Sequence, residues 1–177
     1  MKGLFMRSFG SLMLAMIACS LMAQTKGPHY VGNSPNDFVE GFYSWYVPHN
    51  MSGDSIAEMG KHLGLIRSEL SPQLAKLLEE DSAAQAKCQD LIGLDFDPFL
   101  YTQEPAKHYK VGPAVQTKAG YRANIYRLES GKRADKPDVL AEFTQRDGHW
   151  YFVNFYYPGG SDLLANLKSR SPCITPR

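Results

Sequence analysis

Proton transfer in a water-shielded site needs a desolvated carboxylate or histidine beside a donor that can stabilise developing oxyanion charge. In this chain the acids flanked by apolar sequence are Asp95, Asp97, Asp138 and Glu142, and the candidate donors are Tyr43, Tyr101, Tyr121, Tyr126 and Tyr156. Asp97 immediately precedes Pro98 and reads as a turn residue. Glu142 sits between Ala141 and Phe143, so alternation on a half-buried strand points it to water. No acid falls on an inward strand face, and no catalytic residue is nominated. Metal chemistry has no better footing. His29, His49, His62, His108 and His149 are scattered, with no pair at i+2 or i+4 and no Cys-x-x-Cys, His-Glu-x-x-His or calcium-loop pattern. No metal and no cofactor is expected.

Binding is better supported than catalysis. The run Trp150-Tyr151-Phe152-Val153-Asn154-Phe155-Tyr156-Tyr157 is strongly aromatic. Simple alternation sets Trp150, Phe152, Asn154 and Tyr156 on one face and Tyr151, Val153, Phe155 and Tyr157 on the other. Either both faces are buried, one by the opening helix and one by the second helical segment, or one presents an aromatic wall. The residues singled out for contact with a ligand or partner are Tyr43, Tyr101, Tyr126, Trp150, Asn154 and Tyr156, whose amphipathic rings and amide would orient what they bind. The mixed-charge segment Glu129–Asp138 reads as a solvated loop or as a recognition loop.

These residues need elements to hold them. Ser34-Pro35-Asn36-Asp37 is a helix start, with Ser34 as cap and Asp37 at the positive end of the dipole. Phe38, Phe42 and Trp45, flanked by Val39, Tyr43 and Tyr46, give that helix a broad apolar face, and Pro48 is expected to end it. A weaker helical pattern covers Ser55 to Leu70, and Ser71-Pro72 starts another helix carrying Leu74, Leu77, Leu78, Asp81, Gln85 and Cys88 on one face. From Tyr109 the period becomes two. Tyr109–Gln116, Tyr121–Leu128, Val139–Gln145 and Trp150–Tyr156 read as four strands, with a tight turn at Asp147-Gly148 and a short helix over Ser161–Ser169. Short connections favour an antiparallel meander with the helices grouped before it, hence one α+β domain.

The chain has 177 residues, average composition and a formal net charge of +1. That excludes disorder and coiled coil, and the near-neutral charge argues against a nucleic-acid binder. Lys2 and Arg7 precede the apolar run Leu12–Ala18, too short for a membrane span and typical of a secretory leader. Cleavage after Ala23 leaves 154 residues, and 17 basic against 18 acidic ones. The alternative is the lipobox-like Met16-Ile17-Ala18-Cys19, which would make Cys19 a lipid-bearing N-terminus and attach the protein to a membrane. Cys88 and Cys173 then remain; they either pair, closing a loop of 86 residues, or stay as a buried thiol and a tail thiol. The expected layout is a leader over 1–23, a flexible entry over 24–33, one domain over 34–170 and a tail over 171–177.

Phe38–Tyr46, Leu70-Ser71-Pro72-Gln73-Leu74, Asp97–Glu104 and Gly148–Asn154 together resemble domain of unknown function 3828, a family of exported bacterial proteins. The order of elements is similar to the cone-shaped, cystatin-like fold of nuclear transport factor 2 and its relatives. The resemblance implies helices packed on a curved four-stranded antiparallel sheet, in the periplasm or on an envelope membrane, and implies no activity. The expectation is a non-enzymatic binding module for a protein partner or a small apolar ligand, one concrete version being an immunity protein against a periplasmic toxin. Homodimerisation fits such a fold. An isomerase- or dehydratase-like enzyme working inside the cone, and a purely structural envelope lipoprotein, are the alternatives.

Overall fold

The computed structural model describes residues 27–28, 30–50, 62–88 and 93–169. The leader with Cys19, residues 24–26 and 29 of the entry segment, the helical pattern before residue 62, and Cys173 with its tail lie outside the described residues.

Helix α1 (Pro35–Asn50) starts as its sequence dictates. The Ser34 N–H donates to Asp37 Oδ2 at 2.9 Å and the Asp37 N–H donates to Ser34 Oγ at 3.1 Å, a reciprocal cap. Phe38, Val39, Phe42, Tyr43, Tyr46 and Val47 are buried along one face. Pro48 does not end the helix, contrary to expectation. It lies in the last turn, where the one bond it cannot donate, to the Ser44 carbonyl, is a small loss, and the chain stays helical to Asn50.

Residues 62–66 are helical and run into a tight 3-10 turn over Arg67–Glu69. Leu70 then bridges Phe152 in parallel, with the Ser71 N–H donating to the Phe152 carbonyl at 2.8 Å. This pins the start of helix α2 (Pro72–Lys87) to the sheet edge, where Ser71 Oγ accepts from the Leu74 N–H as the helix cap. Cys88, just beyond α2, is disulfide-bonded.

The sheet is open and antiparallel, with six strands rather than four: β1 (Tyr109–Val111), β2 (Val115–Gln116), β3 (Tyr121–Glu129), β4 (Lys132–Arg133), β5 (Val139–Arg146) and β6 (His149–Tyr156). Its order is β1-β3-β5-β6, with β2 and β4 also paired to β3. The strand expected over Tyr109–Gln116 is split because Gly112-Pro113 interrupts it and Pro113 has no N–H for the ladder. The long polar loop contains a further hairpin, since Ser130 (φ 50°) and Gly131 (φ 77°) make a primed turn returning β4 onto β3. Asp147 (φ 51°) and Gly148 (φ 80°) make the expected tight turn from β5 to β6. Helix α3 (Leu163–Lys168), capped by Asp162, closes the domain. No helix among the described residues is long and apolar enough to cross a membrane.

One irregularity decides which way β6 faces. Glu142 pairs with Asn154 and the next residue, Phe143, with Phe152, so Val153 is an extra residue and β6 carries a bulge. The bulge resets the alternation. Trp150 and Phe152 before it share the core face with Phe155 and Tyr157 after it, while Tyr151, Val153, Asn154 and Tyr156 lie on the opposite face. Neither face assignment drawn from simple alternation survives. Between α1 and the sheet, Phe42, Tyr46, Phe99, Phe143, Phe152 and Phe155 are each under 2% exposed. Their rings meet at 4.7–5.9 Å, as in Phe42 on Phe152 (4.7 Å) and Phe99 on Phe155 (5.0 Å). Side chains fill this interior.

Candidate binding groove

On the sheet face turned away from α1, a groove of about 650 Å³ runs between β5–β6, the first turn of α2 and Leu164 of α3. Tyr151, Val153, Asn154 and Tyr156 reach it because of the bulge, and Glu142 and Thr144 enter it from β5. Pro72 and Gln73 form the rim that the Leu70–Phe152 bridge holds in place.

Glu142 is the electrostatic hub. It is 7% exposed, not pointed to water as alternation suggests. Its Oε1 accepts from Arg122 Nε (3.0 Å) and lies 2.9 Å from Nη2 in an ion pair, its Oε2 accepts from the Tyr156 hydroxyl (2.7 Å), and Nη2 donates to the Tyr156 hydroxyl oxygen (3.3 Å). Arg122 and Glu142 are directly opposed in the β3–β5 register, which is why the pair forms. The Arg122 guanidinium also lies over the Tyr156 ring at 4.7 Å, and its hydrogen bond to Glu142 raises its pKa further. Burial, followed by the Glu142 hydrogen bond, raises the Tyr156 hydroxyl. With both oxygens engaged, this carboxylate anchors two side chains and is not held ready as a base. Asn154 divides its groups: Nδ2 donates to Asp162 Oδ1 (2.9 Å), and Oδ1 accepts from the N–H groups of Phe155 (2.9 Å) and Leu164 (3.1 Å).

Of the six residues singled out by sequence, the structure brings only Asn154 and Tyr156 together in the groove. Tyr43 is buried, and its hydroxyl donates to the Phe99 carbonyl at 3.0 Å. Tyr101, at φ 52°, stacks on Tyr157 at 4.4 Å, and the Tyr157 hydroxyl donates to the Pro98 carbonyl at 2.8 Å. Both singled-out tyrosines therefore hold the buried Asp97–Tyr101 turn. Trp150 packs on Phe38 and donates from its indole N–H to Asn33 Oδ1 at 3.1 Å. Tyr126 lies under the Arg133 guanidinium at 4.5 Å.

The candidate acids are dispersed as well. Asp97 is the turn residue its sequence suggests, but fully buried. It accepts from the Phe99 and Leu100 N–H groups (2.7 and 3.0 Å), from the Tyr46 hydroxyl (3.0 Å) and from Asn50 Nδ2. Burial outweighs these donors and pushes its carboxyl up to about 6. Asp138 binds Arg127 through Nε (2.7 Å), Nη2 (2.6 Å) and the backbone N–H (2.8 Å), locking β3 to β5. Asp95 is exposed. Among the described residues, no group of three His, Cys, Asp or Glu side chains is placed to hold a metal ion.

The opposed charges of Arg122 and Glu142 were a usable signal once the β3–β5 register was known. The bulge left no mark in composition or spacing, and without it Tyr151 and Val153 could not be assigned to a shared wall with Tyr156. No protein-family model, curated protein or solved structure matches the chain.

Proposed function

We propose that this chain is an exported, non-enzymatic binding protein of cone-like architecture that receives a protein partner in the groove on the outer face of β5–β6. The observation that carries the reading is the groove itself, an open channel of about 650 Å³ whose floor is braced by the Arg122–Glu142–Tyr156 cluster. Of the two occupants expected from sequence, a polypeptide suits it better. The wall mixes Tyr151, Val153 and Tyr156 with Thr144, Gln73 and Ser71, which complements a chain carrying backbone polar groups at every residue. A small apolar ligand would need an enclosed interior, and aromatic rings occupy the space between α1 and the sheet. Export rests on the leader-like first 23 residues. A periplasmic immunity protein is one form of this reading.

The test is affinity capture from the native envelope extract with wild type and with a Tyr151→Ser/Val153→Asp variant, both checked by circular dichroism. A partner recovered by wild type and lost with the variant supports the reading. Equal recovery by a folded variant, or a small molecule retained in the native mass spectrum of wild type, overturns it.

A further inference from the structure

Apart from the groove, a cavity of about 260 Å³ lies where the N-terminal segment crosses the start of α1, the 3-10 turn and the β5–β6 turn. Its apolar wall is a contiguous row of rings, Tyr30 on Phe38 at 5.3 Å and Phe38 on Trp150 at 6.0 Å. Its polar atoms come from Asn33, Ser68 and Glu69, with His149 exposed at the rim. Asn33 is fixed there by hydrogen bonds from the Trp150 indole and from Gln145 Nε2.

Glu69 is the anomaly. It is 9% exposed and receives one side-chain hydrogen bond, from Ser68 Oγ at 2.8 Å to Oε2. No basic side chain among the described residues forms an ion pair with it; Arg67, two residues away, pairs with Glu79 instead. The Tyr30 hydroxyl is buried beside this carboxylate, its one neighbouring acceptor, in a weak contact short of full hydrogen-bond geometry, and burial together with the carboxylate's charge raises the hydroxyl. Burial is the main cause that raises the carboxyl of Glu69 above its usual range. A buried carboxylate helped only by neutral donors, with no counter-ion among the described residues, is costly, and native folds seldom leave one facing a cavity.

We infer that this cavity is a binding site for a primary ammonium group, with Glu69 as its counter-ion, the Tyr30 and Ser68 oxygens as further acceptors, and Phe38 and Trp150 as its aromatic wall. The ammonium carries three N–H donors, and the cavity offers acceptors with spare capacity beside aromatic rings that favour a cation. A quaternary ammonium would satisfy the charge but leave the Tyr30 oxygen unpaired. The same chemistry is presented by a free alkylamine and by a lysine side chain of another protein.

The test follows the two indole N–H resonances of the full chain, assigned with Trp45→Phe, during titration with n-butylammonium, n-butanol, tetramethylammonium and Nα-acetyl-lysine methylamide. A saturable shift of the Trp150 resonance by n-butylammonium is expected, with a Kd on the order of a millimolar for so small a ligand. n-Butanol should produce none. Glu69→Gln should weaken binding at least about tenfold, and Tyr30→Phe should weaken n-butylammonium while leaving tetramethylammonium unchanged. Tighter binding of the lysine derivative identifies a protein lysine as the source, and tighter binding of the alkylamine a free amine. Binding of n-butanol as tight as that of n-butylammonium, no saturable shift, or undiminished affinity in Glu69→Gln would overturn the assignment. If Glu69→Gln does not fold, the butanol comparison and Tyr30→Phe decide it.

Discussion

Asp97 makes the stability of this domain depend on pH in a direction opposite to that of most carboxylates. Its carboxyl titrates at about 6 in the folded chain against 3.8 ordinarily, because burial outweighs four donors. A folded-state pKa above the unfolded one means that the native state holds the proton more tightly. The associated stability is therefore complete below about pH 4 and is lost as pH rises through 6. A gap of two units corresponds to about 3 kcal/mol in total. Between pH 5 and pH 7.5 the same two values give about 1 kcal/mol, the domain being more stable at the lower pH.

The perturbation that isolates this group is Asp97→Asn. The amide keeps an oxygen for the Phe99 and Leu100 N–H groups and does not titrate, so other ionisable groups, including Glu69 with its raised carboxyl, cancel between variant and wild type. The assay is urea denaturation followed by circular dichroism at both pH values. At an m-value of about 2 kcal/mol/M, the wild-type midpoint should fall by about half a molar from pH 5 to pH 7.5 relative to that of the variant. Parallel changes in the two proteins would refute the assignment, as would a wild type that gains stability relative to Asp97→Asn on going to pH 7.5.

Three further outcomes are expected. Gly120→Ala should destabilise the fold by about 2–4 kcal/mol in the same urea assay, because Gly120 sits at φ +147° and a Cβ there would lie 2.4 Å from the Phe143 carbonyl oxygen. Tyr156→Phe should cost about 1 kcal/mol, and a double-mutant cycle with Glu142→Ala should show the two changes to be non-additive, since the 2.7 Å hydrogen bond is removed by either. If Cys173 is the partner of Cys88, the denatured protein will be two hydrogens lighter before reduction than after, and Cys173→Ser will lower stability by about 2–4 kcal/mol.

What could be read from the chain is what local chemistry decides. The Ser34–Asp37 cap, the Ser71-Pro72 helix start and the Asp147-Gly148 turn each depend on a few adjacent residues, and each is found. The second hairpin was equally legible in Ser130-Gly131, which fits the same primed turn, but the surrounding charges suggested an undivided loop. What could not be read depends on distant partners. Alternation around Glu142 gave the correct face and the wrong environment: the residue does point away from α1, and Arg122 and Tyr156, 20 and 14 positions away, then cover it. Tyr43 and Tyr101 were singled out as amphipathic rings that would contact a ligand or partner, whereas buried carbonyls and rings around residues 97–101 consume them.

The bulge at Val153 also explains why one aromatic strand can serve core and surface at once. A regular strand running from Trp150 to Tyr157 would divide its large rings between two faces. The domain would then need a second layer over the outer face, or would expose Phe155 there to water. One inserted residue gathers Trp150, Phe152, Phe155 and Tyr157 on the α1 side, and leaves the outer face with Tyr151, Val153, Asn154 and Tyr156, of which only Asn154 is buried. That outer set is polar enough to face solvent and apolar enough to be covered. Among the described residues, only Asn154 and Tyr156 of these four form side-chain hydrogen bonds. Substitutions at Tyr151 and Val153 therefore need not disturb the ring packing one residue away.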